Sequence, residues 1–143
     1  ASWMIIKKKF RLLGLAPEMQ GIQTRAAADY YAKAVRLCAD YRLWTERGRA
    51  LMFDIAVQNG GISAKVKNII YEDFETLKND LISREEMEIA KMRIIANRRA
   101  EAANAKWAED VRTRKLCIAE GFGRVHGIDY DLEGQFGIEM RAA

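Results

Sequence analysis

The stretch ALMFDIAVQNGG, residues 50–61, threads one carboxylate, Asp54, through a run that is otherwise apolar from Ala50 to Val57. A helix that is hydrophobic around most of its circumference belongs in the interior of a protein. An ionised group in such a place must be paired or surrender its charge. The chain is therefore constrained to fold so that some other element delivers a cation to this helix.

Thr45 followed by Glu46 is a suitable N-terminal cap, and Gly60 and Gly61 are a suitable stop, so the spacing predicts a central helix over residues 45–59. On its own face Asp54 has Arg47 seven residues before it and Gln58 four after, with apolar Leu51 between, which makes a thin polar line. The partner is expected from another helix. Two basic clusters qualify: ANRRAEAA, with Arg98 and Arg99, and DVRTRKLCIAEG, with Arg112, Arg114 and Lys115. Arginine is the better choice because its planar fork engages both carboxylate oxygens and it keeps its proton. The expectation is an Asp54 held between two arginines; the competing reading places Asp54 at a solvated rim.

The remaining pattern is helical throughout. Trp3, Ile6, Phe10 and Leu13 recur at helical spacing ahead of Gly14 and of Pro17, the single proline in the chain. Residues 20–41 alternate an apolar stripe (Ala26, Tyr30, Ala34, Leu37, Tyr41) with a charged face (Asp29, Lys33, Arg36, Asp40). Ser63 can cap a helix running to about residue 79, SREE at 83–86 is a capping box that opens another, and a last helix is expected from Asn104 to Gly121. The glycine-rich remainder, residues 121–143, shows no sustained period and is expected to be an irregular tail laid over the surface by Phe122, Tyr130, Leu132 and Phe136. The predicted fold is all-α, about six helices around the central one. With 143 residues, 50% of them hydrophobic, the chain suffices for a single helical domain, 1–143.

Composition removes several chemistries. His126 is the single histidine, and Cys38 and Cys117 lie far apart among apolar neighbours without CxxC spacing, so no metal site and no cofactor are expected and both thiols read as buried and free. Gly-rich phosphate loops and nucleophile-elbow motifs are absent; GFGRVHG imitates the former but follows a helix. No apolar run is long enough to span a bilayer, and the Lys7–Lys9 cluster follows its apolar residues rather than preceding them as in a signal peptide. The lack of an initiating Met suggests a piece of something longer. The excess of 24 Lys and Arg over 20 Asp and Glu gives +4, with acids interspersed and no recognisable DNA-reading module, so nucleic acid is not the expected partner. Glycoside hydrolysis needs two carboxyl groups across a cleft. Glu18, Glu46, Glu72, Asp73, Asp129 and Asp131 are all eligible, and composition does not rank them.

Three segments in order resemble one family. RALMFDIAVQNGGI resembles the central helix of chitosanases of glycoside hydrolase family forty-six, ANRRAEAA resembles a stretch of a later helix in those enzymes, and VRTRKLCIAEG resembles their last long helix. EMQGIQ, FDIAVQNGGI, RKLCIAEG and VHGIDYDL together resemble the carboxyl-terminal half of chitosanase-like, lysozyme-superfamily proteins of phages and prophages, over about residues 1–133. The resemblance implies two helical lobes around a glycan cleft, this chain being the larger, C-terminal lobe. It matches Asp54 to the family's buried Asp, Arg98 or Arg99 to a first flanking arginine and Arg112 to a second. The catalytic Glu and its partner carboxylate belong upstream of residue 1, so catalysis by this piece alone is not expected. The implied partner is an amino-sugar glycan, peptidoglycan or chitosan-like, at the bacterial cell wall, secreted or phage-associated, with an N-terminal lobe or other phage proteins completing the assembly. Gln58, Asn59, His126 and Tyr130 are the candidate glycan contacts. The alternative is a non-catalytic wall-binding or phage structural module, with Trp44 or Tyr130 stacking on sugar rings.

Overall fold

A computed structural model describes residues 24–78 and 82–143. In chain order these form α1 (Thr24–Tyr41), α2 (Glu46–Asn59), α3 (Ala64–Glu75), α4 (Arg84–Glu101), α5 (Ala108–Glu120), β1 (Phe122–Val125), β2 (Ile128–Asp131) and a short α6 (Leu132–Phe136). The fold is all-α with one small hairpin. The helix expected near residues 3–13, Lys7–Lys9 and Glu18 lie outside the described residues.

Helix α2 is the centre. Its side chains from Ala50 to Ala56 are all buried, Asp54 included, because α1 covers one side and α5 another, with α4 close to its N-terminal end. Phe53, Leu51, Met52 and Ile55 contribute roughly 1.5–3 kcal/mol each by this burial. The start of α2 is locked twice. Thr45 caps it, its hydroxyl accepting from Gly48 N at 2.9 Å, and the buried carboxylate of Glu88 on α4 accepts from Trp44 N and Thr45 N, both at 2.7 Å, and from the Thr45 hydroxyl. Orphan N–H groups at a helix start need such acceptors when water is excluded.

Three boundaries differ from the sequence reading. Helix α3 stops at Glu75 rather than near 79, because Thr76 turns back on Asp73 O through both its amide (3.0 Å) and its hydroxyl (2.6 Å). Helix α5 begins at Ala108, not Asn104: Asn104 Oδ1 accepts from Lys106 N (3.0 Å) and its carbonyl accepts from Trp107 N (2.8 Å), closing a turn before the helix. The tail is ordered rather than irregular. His126 (φ 50°) and Gly127 (φ 77°) make a two-residue turn with both φ positive, the geometry that matches strand twist in tight hairpins, and Val125 pairs with Ile128 across it. Asp131 then caps α6 through Gly134 N (3.0 Å), Leu132 and Ile138 enter the core, and the chain end returns to α2, where Arg141 O accepts from Glu46 N (2.8 Å) and Ala143 N donates to Trp44 O (3.0 Å). Buried Glu46 also pairs with the Arg141 guanidinium.

Gly121, at φ 87°, ends α5 beside the Arg47 guanidinium; the left-handed backbone there favours glycine, and a Cβ would also stand 2.6 Å from Arg47 Cζ and push that side chain aside. Both cysteines are free and buried, and burial pushes the thiol of Cys38 up to about 12 and that of Cys117 up to about 11, leaving little nucleophilic thiolate.

Between α4 and α5 the Arg93 guanidinium grips both oxygens of Glu120, with Nη2 to Oε2 at 2.8 Å. That hydrogen-bonded partner holds the Glu120 carboxyl below its ordinary 4.5. A carboxyl depressed in the folded state stabilises the fold above its unfolded pKa, and the gain is lost as pH falls through the folded value. Urea midpoints are therefore expected to fall as pH drops below 4.5, with a shallower fall in Glu120→Gln.

Arg42 closes α1 in the left-handed region (φ 55°), with Leu43 N on Cys38 O (2.9 Å) and Arg42 N on Ala39 O (3.3 Å). This helix-ending motif ordinarily takes glycine, and a side chain there costs about 1 kcal/mol. Arg42→Gly is expected to raise folding stability by about that amount in urea denaturation.

Candidate functional site

Asp54 is buried, and its partners come from α5. Arg114 Nε donates to Oδ1 at 2.8 Å and Lys115 Nζ to Oδ2 at 2.8 Å. Lys115 also donates to Gln58 Oε1 at 2.7 Å. Asp54 and Gln58 stand four residues apart, one above the other on α2, while consecutive residues of α5 diverge by about 100° and so reach Asp54 from its two flanks. The side chains of Asp54 and Lys115 are both 0% exposed and that of Arg114 is 12% exposed. Burial pushes the Lys115 ammonium down from its ordinary value; Asp54 pulls it back up, while Arg114 and Arg99 oppose it.

The buried aspartate thus has two cationic partners, and they correct the expected set of Arg98, Arg99 and Arg112. Arg98 forks onto Asp73 (2.6 and 3.0 Å) and reaches Glu101 (3.0 Å), tying α3 to α4. Arg99 donates to Gly61 O (3.0 Å) and Asn59 O (3.5 Å), closing the carbonyl end of α2. Arg112 lies nearly a turn before the pairing residues and is taken by Glu109 (2.7 Å) and Asn97 (3.2 Å). One cation is a lysine because the compact ammonium can donate to Asp54 and Gln58 together in a space closed to water, where a planar fork has no such fit.

Beyond Gln58 lies an open groove of about 490 Å3. The end of α2 contributes Gln58 and Asn59, the end of α4 contributes Arg99, the turn into α5 contributes Asn104 and Trp107, and the first turn of α5 contributes Asp110. Trp107, which falls within the last helix as the sequence predicts it, stands one residue ahead of α5 and is 56% exposed, with Lys106 Nζ 5.0 Å above its ring. Asn59 Oδ1 is buried and accepts no hydrogen bond among the described residues. An exposed indole beside amide donors and acceptors and one guanidinium can take a flat, hydroxyl-bearing ligand.

The four candidate contacts separate accordingly. Gln58 and Asn59 line the groove, and His126 Nε2 lies 3.0 Å from Asp110 Oδ1 beside it. Tyr130 instead packs against Phe136, ring centroids 6.3 Å apart, and against the core. Trp44 lies under the Arg84 guanidinium, 4.0 Å from its ring centre. Of the eligible carboxylates, Glu46 is held by Arg141, Asp73 by Arg98, Asp129 stands near Arg124 (3.9 Å) and Asp131 caps α6. The groove carboxylate is Asp110, which composition did not single out. Trp107 was missed because a residue just ahead of a helix start follows no periodicity; Asn104, a turn former three residues earlier, is the signal that marks it.

Among the described residues no cluster of three or more His, Cys, Asp or Glu is placed to hold a metal, and no helix is long and apolar enough to cross a membrane.

Removing Asp54 strands a buried ammonium. Asp54→Ala is expected to cost about 3–5 kcal/mol in urea denaturation, whereas the double change Asp54→Leu with Lys115→Met should recover most of that loss, because an apolar pair replaces an ion pair at little net cost. A loss under about 1 kcal/mol in the single variant would show the pair to be inessential. Comparison of the chain with models of known protein families, with curated proteins and with solved structures finds no match.

Proposed function

We propose that the chain is a lobe of a cell-wall glycan hydrolase module, a chitosanase-like C-terminal lobe whose groove beside Gln58, Asn59 and Trp107 forms one wall of the glycan cleft. The observation that carries this reading is the groove's chemistry: an exposed indole and a polar wall held by the Asp54 pair through Lys115 and Gln58. The buried, charge-paired Asp54 on a central apolar helix also agrees with the motif order that suggested the family. Its partners differ from those the likeness implied, Arg114 and Lys115 taking the places expected of Arg98, Arg99 and Arg112.

In this reading Asp54 supports and does not react, since a carboxylate fixed between two cations stays ionised. The described residues bring one carboxylate, Asp110, to the groove, and two are needed for glycoside hydrolysis. The proton-donating Glu is assigned to an upstream segment. The substrate is an amino-sugar polymer, peptidoglycan or chitosan-like, and the site of action is the bacterial wall.

The second reading is a non-catalytic wall-binding or phage structural module. It is favoured by the single groove carboxylate, and it predicts retention on glycan without cleavage.

Co-sedimentation of the chain with purified peptidoglycan and with chitosan tests both. Retention is expected, and Trp107→Ala should weaken it about tenfold, the loss of one stacked aromatic contact. Release of reducing ends after joining the chain to its upstream coding segment supports the hydrolase lobe; retention with no release in that joined protein supports the binding module. Absence of retention on either polymer overturns both readings.

A further inference from the structure

The buried ion pair behind the groove decides which hydrogen-bonding edge Gln58 turns toward a ligand. An ammonium donates and cannot accept, so the Gln58 amide must give its oxygen to Lys115 Nζ, at 2.7 Å. The amide is planar, and its nitrogen is left on the other edge. Gln58 Nε2 donates to no described residue and is not sealed from solvent, which makes it a donor in the groove wall. We propose that Gln58 determines glycan specificity: its Nε2 donates to the acetamide carbonyl of an N-acetylated amino sugar, so that the groove takes acetylated glycan of the peptidoglycan type and disfavours the deacetylated, chitosan type. This inference rests on the glycan reading of the groove and chooses between the two polymers that reading admits.

Three observations carry it. First, the neighbouring polar groups also donate. Asn104 Oδ1 is occupied by Lys106 N at 3.0 Å, which leaves its Nδ2 as the free edge; Arg99 has donors alone; and Asn59 Oδ1 is buried, so it offers no acceptor to a ligand. Second, an apolar contact for the acetamide methyl lies between the indole and Gln58. Trp107, Val111 and Lys115 follow one another at four-residue steps on one stripe, about 6 Å apart along the axis, and Val111 N bonds Trp107 O at 2.9 Å, so the stripe runs unbroken into α5. A sugar ring on Trp107 thus places its methyl toward Val111 and its carbonyl toward Gln58. Third, the deacetylated sugar carries an ammonium at the same position, and at this wall a donor-only cation meets other donors and the Arg99 guanidinium. The groove carboxylate, Asp110, is the group that favours an ammonium; it is one residue from Val111, about 100° around the helix, with Oδ1 3.0 Å from His126 Nε2.

The test is calorimetric titration of the full chain with the N-acetylglucosamine tetramer and with the glucosamine tetramer, at a pH that keeps the free amines charged. The acetylated tetramer is expected to bind at least about tenfold tighter. Gln58→Glu keeps an acceptor for Lys115 and removes the donor; its urea midpoint is expected at or above that of the parent, its affinity for the acetylated tetramer about tenfold lower, and its preference lost or inverted. Trp107→Ala should weaken both tetramers alike, because ring stacking is common to both. The proposal is overturned if the parent binds the glucosamine tetramer as tightly or more tightly, which would give the selection to Asp110, or if Gln58→Glu keeps the parent's preference. In either case equal weakening of both sugars by Trp107→Ala leaves the groove assignment standing. Absence of binding of either tetramer up to about 10 mM also overturns the proposal, and the groove reading falls with it only if retention on the polymers is absent too.

Discussion

Everything in this fold is arranged around keeping one charge pair dry. The Lys115 ammonium and the Asp54 carboxylate both lie where water does not reach, and the desolvation penalty, several kcal/mol for each ion, is offset only by close geometry and full hydrogen bonding. The structure supplies both: two donors on the two oxygens of Asp54, and Gln58 as a second acceptor for Lys115. Because the pair joins α2 to α5, it also sets how the two helices lie together along their seam. An apolar seam tolerates small slips; a buried ion pair with fixed partners does not.

The same economy governs the start of α2. Glu88 reaches from α4 to take the amides of Trp44 and Thr45, and the chain end returns to cover the same turn through Arg141 and Ala143. Two buried carboxylates from different elements, Glu88 and Glu46, thereby meet every charge or amide they need within one turn of helix. The central helix is fastened at its beginning by α4 and the tail and in its middle by α5.

Each end of that helix then faces a concavity of different character. At the carbonyl end, amides, an indole and one carboxylate surround an open groove suited to hydroxyl-rich ligands. At the amino end, three cations, Arg42, Arg84 and Lys91, and the buried Glu88 carboxylate surround an apolar floor. Anchoring the helix in between gives both concavities a rigid wall, so that their polar groups are held in place by the fold.

The residues themselves determined the helical class and the position of the central helix, and that Asp54, if buried, needs a cationic partner, because those follow from periodicity, capping residues and the cost of an isolated charge, all local or composition-level quantities. Thr45, Ser63 and Ser83 cap their helices as their sequence contexts imply, and the RTRK cluster on α5 was among the two sources named for the partner. Which cations meet Asp54 was decided by tertiary structure alone: Arg98, Arg99 and Arg112 carry the same charge as Arg114, and only the packing angle of α5 on α2 selects among them. The hairpin escaped the pattern because four-residue strands are too short to show a period, and its order comes from the turn at His126 and Gly127 and from Leu132 and Ile138 reaching the core. Both concavities lay beyond the sequence for one reason: they are bounded by residues far apart in the chain, such as Gln58 with Trp107 and Arg42 with Lys91, and nothing local to either partner encodes the distance between them.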